Sequence, residues 1–348
     1  MLSRRSILKT FGVFLLLLFS GERGALAQFL FRPSKKMAPR LSRNRFMEGG
    51  KALVGISGSG TVEDKIREAV SLAGGFEKLG LAGKTVLVKP NVVSGEDSPA
   101  TTNPEVVAAL VRILYGFGAK KVYVGDMSAF STLSTIRNMR KNGIKKAAEE
   151  NGAEVVVFED YGWAEVDLPK ARYIKSAYVT EWIYKPDIIV NLPVIKTHRS
   201  ASYSIALKNF IGCTHLRQRP YIIDSSHWEE LIADFNLAYS PDLNIVDGTV
   251  SMIEGGPWSG TPAHTGIIIA SGDRVGADIA GLGVIKSFGR WEMVAGKDIW
   301  EQRQIKSAVE LGVGAGAGSI MIRAGSGDER FKGLIKNVIE YAAGAEKA

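Results

Sequence analysis

Apolar strand-like runs alternate with segments of helical spacing from residue 51 to residue 191, and this alternation constrains the fold more than any other feature of the chain. Residues 51–57 and 85–88 read as strands, the second stopped by Lys89-Pro90-Asn91. Helical spacing follows at 62–72 and at 104–115, where Pro104 suits a first helical turn. Residues 121–125 run as a strand into Asp126, a helix spans 136–150 to the stop pair Asn151-Gly152, and 154–158 and 187–191 are further strands. Strands separated by helices predict an α/β fold with a mostly parallel sheet and helices on both faces.

Beyond 191 the pattern loosens. Helices are expected at 203–212 and 228–239, a strand at 243–246, and a Gly/Pro-rich loop over 254–262. Strands at 266–270 and 319–322 and helices at 275–287, 302–311 and 328–343 complete the chain. The body, residues 51–348, is long enough for one domain or for two lobes meeting around 160–260.

The first 27 residues have the basic, apolar, small-residue order of a secretory signal. Arg4-Arg5, with Leu8-Lys9 behind it, resembles the twin-arginine consensus, although Ile7 stands where that consensus prefers Phe. The apolar run Phe11 to Phe19 is nine residues, against about 20 needed to cross a bilayer. Ala25-Leu26-Ala27 predicts cleavage after Ala27, with the twin-arginine translocase as the export partner and a periplasmic or extracytoplasmic destination.

Charge is unevenly spread. Of the net +8, the signal contributes +3 (four cations less Glu22) and residues 28–50 contribute +5 (six cations less Glu48). The body is therefore neutral, which argues against a nucleic-acid partner. Residues 28–50 carry Pro33 and Pro39 without apolar periodicity, and read as a basic disordered tether suited to peripheral contact with anionic lipid. The single cysteine, Cys213, allows no intrachain disulfide and cannot by itself hold an iron–sulfur cluster.

Polar motifs fall at the expected carboxyl ends of strands, where open α/β sheets bind ligands. Lys89 and Asn91 follow one strand, Asp126 another, Lys196-Thr197-His198 a third and Asp247 a fourth. Lysines there offer fixed cations for a carboxylate or phosphate, or base chemistry if desolvated; Lys89 pairing with a structural carboxylate is the alternative. His198 is a candidate general base or metal ligand. Lys208 and Asn209 lie on the next helix, whose start Ser200, Ser202 and Ser204 are placed to cap. Catalytic candidates are thus Lys196, His198, Asp126 and Asp247, and substrate-binding candidates Lys89, Asn91, Lys208 and Asn209. His215, Asp224 and His227 form a looser group that, with Glu254, could ligate a divalent metal, although the spacing fits no tight motif. Cys213 reads as a small buried residue. Gly58-Ser59-Gly60 is not a complete phosphate-loop fingerprint.

The ordered succession Val88-Lys-Pro-Asn91, Thr102-Asn-Pro104, Val124-Gly-Asp126, Asn191-Leu-Pro-Val-Ile-Lys-Thr-His198, Leu207-Lys-Asn209 and Ile245-Val-Asp-Gly248 with Gly255-Gly-Pro257 resembles the domain-of-unknown-function 362 family over about residues 51–325. No single piece is specific; the six in order are. The resemblance implies the fold and the site rather than a reaction. Many members carry a ferredoxin-like segment, whose cysteines this chain lacks. The 191–198 stretch and the Asp-Gly…Gly-Pro loop also resemble, more distantly, parts of the nickel-pincer lactate racemases. Three readings follow. One is a metal- or cofactor-dependent enzyme acting on a small anionic substrate through a Lys/His/Asp site. The others are a non-catalytic carrier of a metal or ligand, and an accessory or maturation partner of an iron–sulfur redox system.

Overall fold

A computed structural model describes residues 31–344. The expected export signal, residues 1–27, lies outside them. Fifteen strands run β1 (Lys35–Lys36), β2 (Met47–Glu48), β3 (Lys51–Ser57), β4 (Thr85–Pro90), β5 (Lys121–Asp126), β6 (Glu154–Val157), β7 (Trp163–Asp167), β8 (Ser176–Thr180), β9 (Ile188–Leu192), β10 (Val194–His198), β11 (Ser202–Ser204), β12 (Leu243–Gly255), β13 (Gly260–Ala263), β14 (Ile267–Ser271) and β15 (Ile320–Ala324). The helices are α1 (Val62–Ala73), α2 (Pro104–Gly116), α3 (Thr135–Lys141), α4 (Ile144–Glu150), α5 (Ala206–Asn209), α6 (Pro220–Ile223), α7 (Trp228–Phe235), α8 (Arg274–Ser287), α9 (Glu292–Ala295), α10 (Arg303–Glu310) and α11 (Glu329–Ala343).

The main sheet has the order β15-β3-β14-β12-β9-β4-β5-β6. It is mostly parallel; β14 runs antiparallel to both β3 and β12. Alternate residues of each strand enter two different cores, as a pleated strand buried on both faces requires. Leu87, Ile189, Val246 and Ile269 join one core with α7, α8, α10 and α11. Val86, Val88, Ile188, Val190, Ile245 and Ile268 join the other with α1, α2 and α4. This is the expected α/β architecture with a helical layer on each face. A second, three-stranded sheet, β1-β7-β8, contributes Trp163, Val166, Ala177 and Val179 to the first core, so the 160–180 region shares the hydrophobic interior of the main sheet.

Five local expectations are corrected. Residues 203–212 are not one helix: β11 is followed by α5 and a 3-10 turn, Phe210–Cys213. No serine caps α5; the Asp278 Oδ1 of α8 accepts the amides of Ala206 and Leu207 instead. The Gly/Pro stretch 254–262 is not a free loop but a hairpin, because β12 extends to Gly255 and pairs with β13. The 136–150 helix breaks into α3 and α4 at Asn142-Gly143, where Gly143 has φ +81°. Finally, from residue 31 onward the basic stretch is folded onto the body. Lys35, Lys36 and Arg40 meet Glu181, Asp167 and Asp242, Arg40 Nη2 lying 3.1 Å from Asp242, and Phe46 is fully buried. The body supplies carboxylates and an apolar seat that a count of net charge does not reveal.

Candidate functional site

The chain passes from β4 to β5 and β6 on one side, then returns to β9 on the other side of β4. This reversal opens a crevice beyond the carboxyl ends of β4 and β9, where Lys89 is in register with Asn191. The strand-borne polar residues fill that crevice with a closed network. Lys89 Nζ is ion-paired with Asp126 Oδ1 at 2.6 Å and donates to the carbonyl of Pro90 at 2.9 Å and to Asn209 Oδ1 at 3.2 Å. Asp126 Oδ2 accepts the Val92 amide at 2.7 Å. Asn91 donates to Asn209 Oδ1 and accepts Lys196 Nζ at 2.7 Å; Lys196 also donates to the Ala100 carbonyl at 2.6 Å. Asn209 donates to Asn191 Oδ1 at 2.8 Å. Burial, then the nearby Lys208, hold the Lys196 ammonium well below its ordinary pKa. Gly212 roofs the ion pair: a Cβ there would stand 2.0 Å from Asp126 Oδ1 and 2.6 Å from Lys89 Nζ.

Against this network lies a cleft of about 400 Å³, walled by Lys208, Arg219, His198, Tyr221, Trp228 and Trp258 among others. Its donors are unfinished. Arg219 is 5% exposed and has no carboxylate partner; it donates only to the carbonyls of Ile211, Met127 and Ser128, and its Nε is unbonded. Lys208 is half-buried and makes no hydrogen bond or ion pair. Burial, then Arg219 and Lys89, bring its pKa down to about 7. Trp228 Nε1 is likewise unbonded. His198 accepts the Ser200 amide at Nδ1, 3.1 Å away. Burial, then Lys208 and Lys196, keep the ring neutral by lowering its pKa. A neutral ring whose Nδ1 accepts carries its proton on Nε2, so His198 is a hydrogen-bond donor. The hairpin β12–β13 closes the cleft at Gly256-Pro257-Trp258, with Gly256 at φ +78° and so near the Thr197 carbonyl that a Cβ would lie 2.0 Å from it.

The family described as Domain of unknown function (DUF362) matches residues 86–283, more than half of the chain and the whole of this crevice. The chain belongs to this family. A thylakoid-associated protein of Synechocystis sp. (strain ATCC 27184 / PCC 6803 / Kazusa) is 26% identical over 227 residues, which cover 63% of this chain and 68% of that protein. The lactate racemase apoprotein from Thermoanaerobacterium thermosaccharolyticum aligns at 14% identity and a TM-score of 0.31, over 62% of this chain and 54% of that one. The DUF362 chain thus spans about half the racemase's length, and a likeness of that size carries no argument.

Of the motif residues named from sequence, this DUF362 chain gathers Lys89, Asn91, Asp126, His198, Lys208 and Asn209 around one cleft. Lys196 lies behind Asn91, 1% exposed and outside the wall. Asp247 is not at the cleft. It is fully buried, accepts the Asn103 amide at 2.8 Å and the Thr249 amide and hydroxyl, and so ties β12 to the start of α2. The divalent-metal group also comes apart. His215 is stacked on Phe31 at 4.9 Å and its Nδ1 accepts the Arg217 amide. His227 pairs with Asp224 at 2.7 Å and stacks on Tyr173. Glu254 accepts from Thr261 in the hairpin. Among the described residues no three His, Cys, Asp or Glu side chains come together to hold a metal ion. The donor set of the cleft is cationic and its histidine presents N–H, which fits an anion and not a metal. Cys213 is buried and its thiol is pushed up to about 12, which makes it inert. Sequence reasoning missed Arg219 and gave Trp228 and Tyr221 no place in a site. A lone Arg-Pro-Tyr carries no motif, and only folding shows that Arg219 is buried without a salt bridge.

Proposed function

We propose that the cleft binds a small anion, a carboxylate or a phosphate-like group, and that Lys208 exchanges a proton with it while His198 donates a hydrogen bond from Nε2. The buried Arg219, which forms no salt bridge, beside the unpartnered Lys208 carries this reading, since the Asp126 carboxylate on the same wall is engaged by Lys89. A cation left buried without a counter-charge is costly unless a ligand supplies one. Arg219 anchors the anion, and the closed Lys89–Asp126–Asn209–Asn91–Lys196 network fixes the floor. An amine near pKa 7 is poised for proton transfer at neutral pH. No metal takes part in this reading, since the residues present do not assemble a ligand set.

We also propose an extracytoplasmic location, reached through the twin-arginine translocase. The Arg4-Arg5 leader and the thylakoid association of the cyanobacterial relative support it.

Calorimetric titration with acetate, malonate and sulfate tests the binding. At least one should bind to wild type and lose tenfold or more in Lys208→Met, the scale of one charge-assisted hydrogen bond of about 1.5–3 kcal/mol. Failure of all three to bind sinks the reading. Deuterium exchange into the malonate methylene, followed by NMR, tests proton transfer. Binding with no accelerated exchange makes the cleft a carrier site instead of a catalytic one.

A further inference from the structure

The cleft is larger than a bare anion needs. Its volume of about 400 Å³ falls in the range of pockets that enclose ligands with a substantial apolar body, about 300–1,000 Å³. Its walls are segregated. Lys208 and Arg219 stand beside the ion-paired floor, while Tyr221, Trp228 and Trp258, with Pro220 and Pro257, form the apolar remainder. The Tyr221 and Trp228 rings lie 5.5 Å apart at 40°, and His198 and Trp228 lie 5.7 Å apart at 60°, so three rings converge on one stretch of wall. Tyr221 and Trp258 remain 40% and 45% exposed at the mouth of the cleft. Neither is floppy in position. Tyr221 sits on α6 two residues after the buried Arg219, and Trp258 on a turn closed by the Gly256 amide donating to the Ser259 carbonyl at 2.8 Å.

Resting on the anion-site reading above, we infer that the ligand is a planar aromatic anion: an aryl or heteroaryl carboxylate or phosphate ester. Its charged group meets Lys208 and Arg219, and its ring stacks among Tyr221, Trp228 and Trp258. Aromatic faces and edges reward a flat π system over a saturated ring of equal size.

Matched ligands separate this inference from the reading beneath it. Benzoate, cyclohexanecarboxylate and acetate share one carboxylate and differ only in the body attached to it. Calorimetry on the full chain should give benzoate roughly tenfold tighter binding than cyclohexanecarboxylate, the equivalent of about 1.4 kcal/mol. Trp258→Leu, at a half-exposed position, should erase most of that preference, read as the ratio of the benzoate to the cyclohexanecarboxylate affinity. Equal affinities for benzoate and cyclohexanecarboxylate overturn the aromatic inference while the anion site stands, as does a preference that survives both Trp258→Leu and Trp228→Leu. If none of the three binds, the anion reading itself falls and takes this one with it.

Discussion

Two sets of cations stand at the same end of the sheet and differ in one respect. Lys89 and Lys196, borne on β4 and β10, are 1% exposed and their donors are taken up by Asp126, Asn209, Asn91 and main-chain carbonyls. Lys208 and Arg219, borne on α5 and at the start of α6, reach the cleft wall and form no salt bridge among the described residues. The strand-borne set is finished by the protein, and the set on the crossing segment is left for a ligand. Strand ends are fixed by the ladder on either side, so their charges can be matched in place. The segment between β10 and α7 is where an open charge can be presented to something that comes and goes.

The largest expected effect lies in the finished set. Lys89→Met strands Asp126 in the interior, and breaking a buried pair costs about 3–5 kcal/mol. Urea unfolding should show that loss. A change under 1 kcal/mol would mean the pair is not the keystone described. Gly212→Ala comes next. Its Cβ would collide with both partners of the ion pair, and overpacking of this kind costs about 1–3 kcal/mol. The loss should shrink in a Lys89→Met background, because the two act on one contact; strict additivity would separate them.

The unfinished set behaves in the opposite way. The Lys208 pKa is about 7 in the folded chain and near its ordinary 10.5 when unfolded. Between those values the unfolded chain binds the extra proton, so wild-type stability should rise with pH from about 7 to 10.5. Below pH 7 the cost of the buried ammonium is fully present. Lys208→Met should remove that cost, flatten the slope across this window and leave the fold at least as stable at pH 6. Thermal melts of both chains across the window check the sign. A destabilised, still-sloping variant would put Lys208 with the finished cations.

Much of the scaffold was legible in the sequence for plain reasons. The runs at 51–57, 85–88 and 121–125 alternate into two cores, and Asn103-Pro104 starts α2 because a side-chain cap and a fixed φ both favour it. The region from 203 to 228 was not legible, because its structure is set from far away. Asp278 caps α5 from 72 residues downstream, and the carbonyls of Met127 and Ser128 hold Arg219 from about 90 residues upstream. The motif residues did mark the right place. What spacing could not tell was which lysine had a partner: Lys89 finds Asp126, Lys208 finds nothing, and Asp247 turns inward to accept the Asn103 amide ahead of α2. The basic stretch after residue 30 misled for the same reason, since Arg40 and Asp242 are 202 residues apart in sequence and in contact in the fold.

The account turns on Lys208 as an open cation, and sulfate reads it most directly because its charge does not change between pH 6 and 9. Calorimetric titration of wild type over that range should show tight binding below pH 7 that weakens by roughly tenfold per pH unit above it, with net proton uptake on binding. In Lys208→Met the affinity should be weak and independent of pH. A wild-type affinity that stays flat from pH 6 to 9, or one that Lys208→Met leaves intact, would contradict the account.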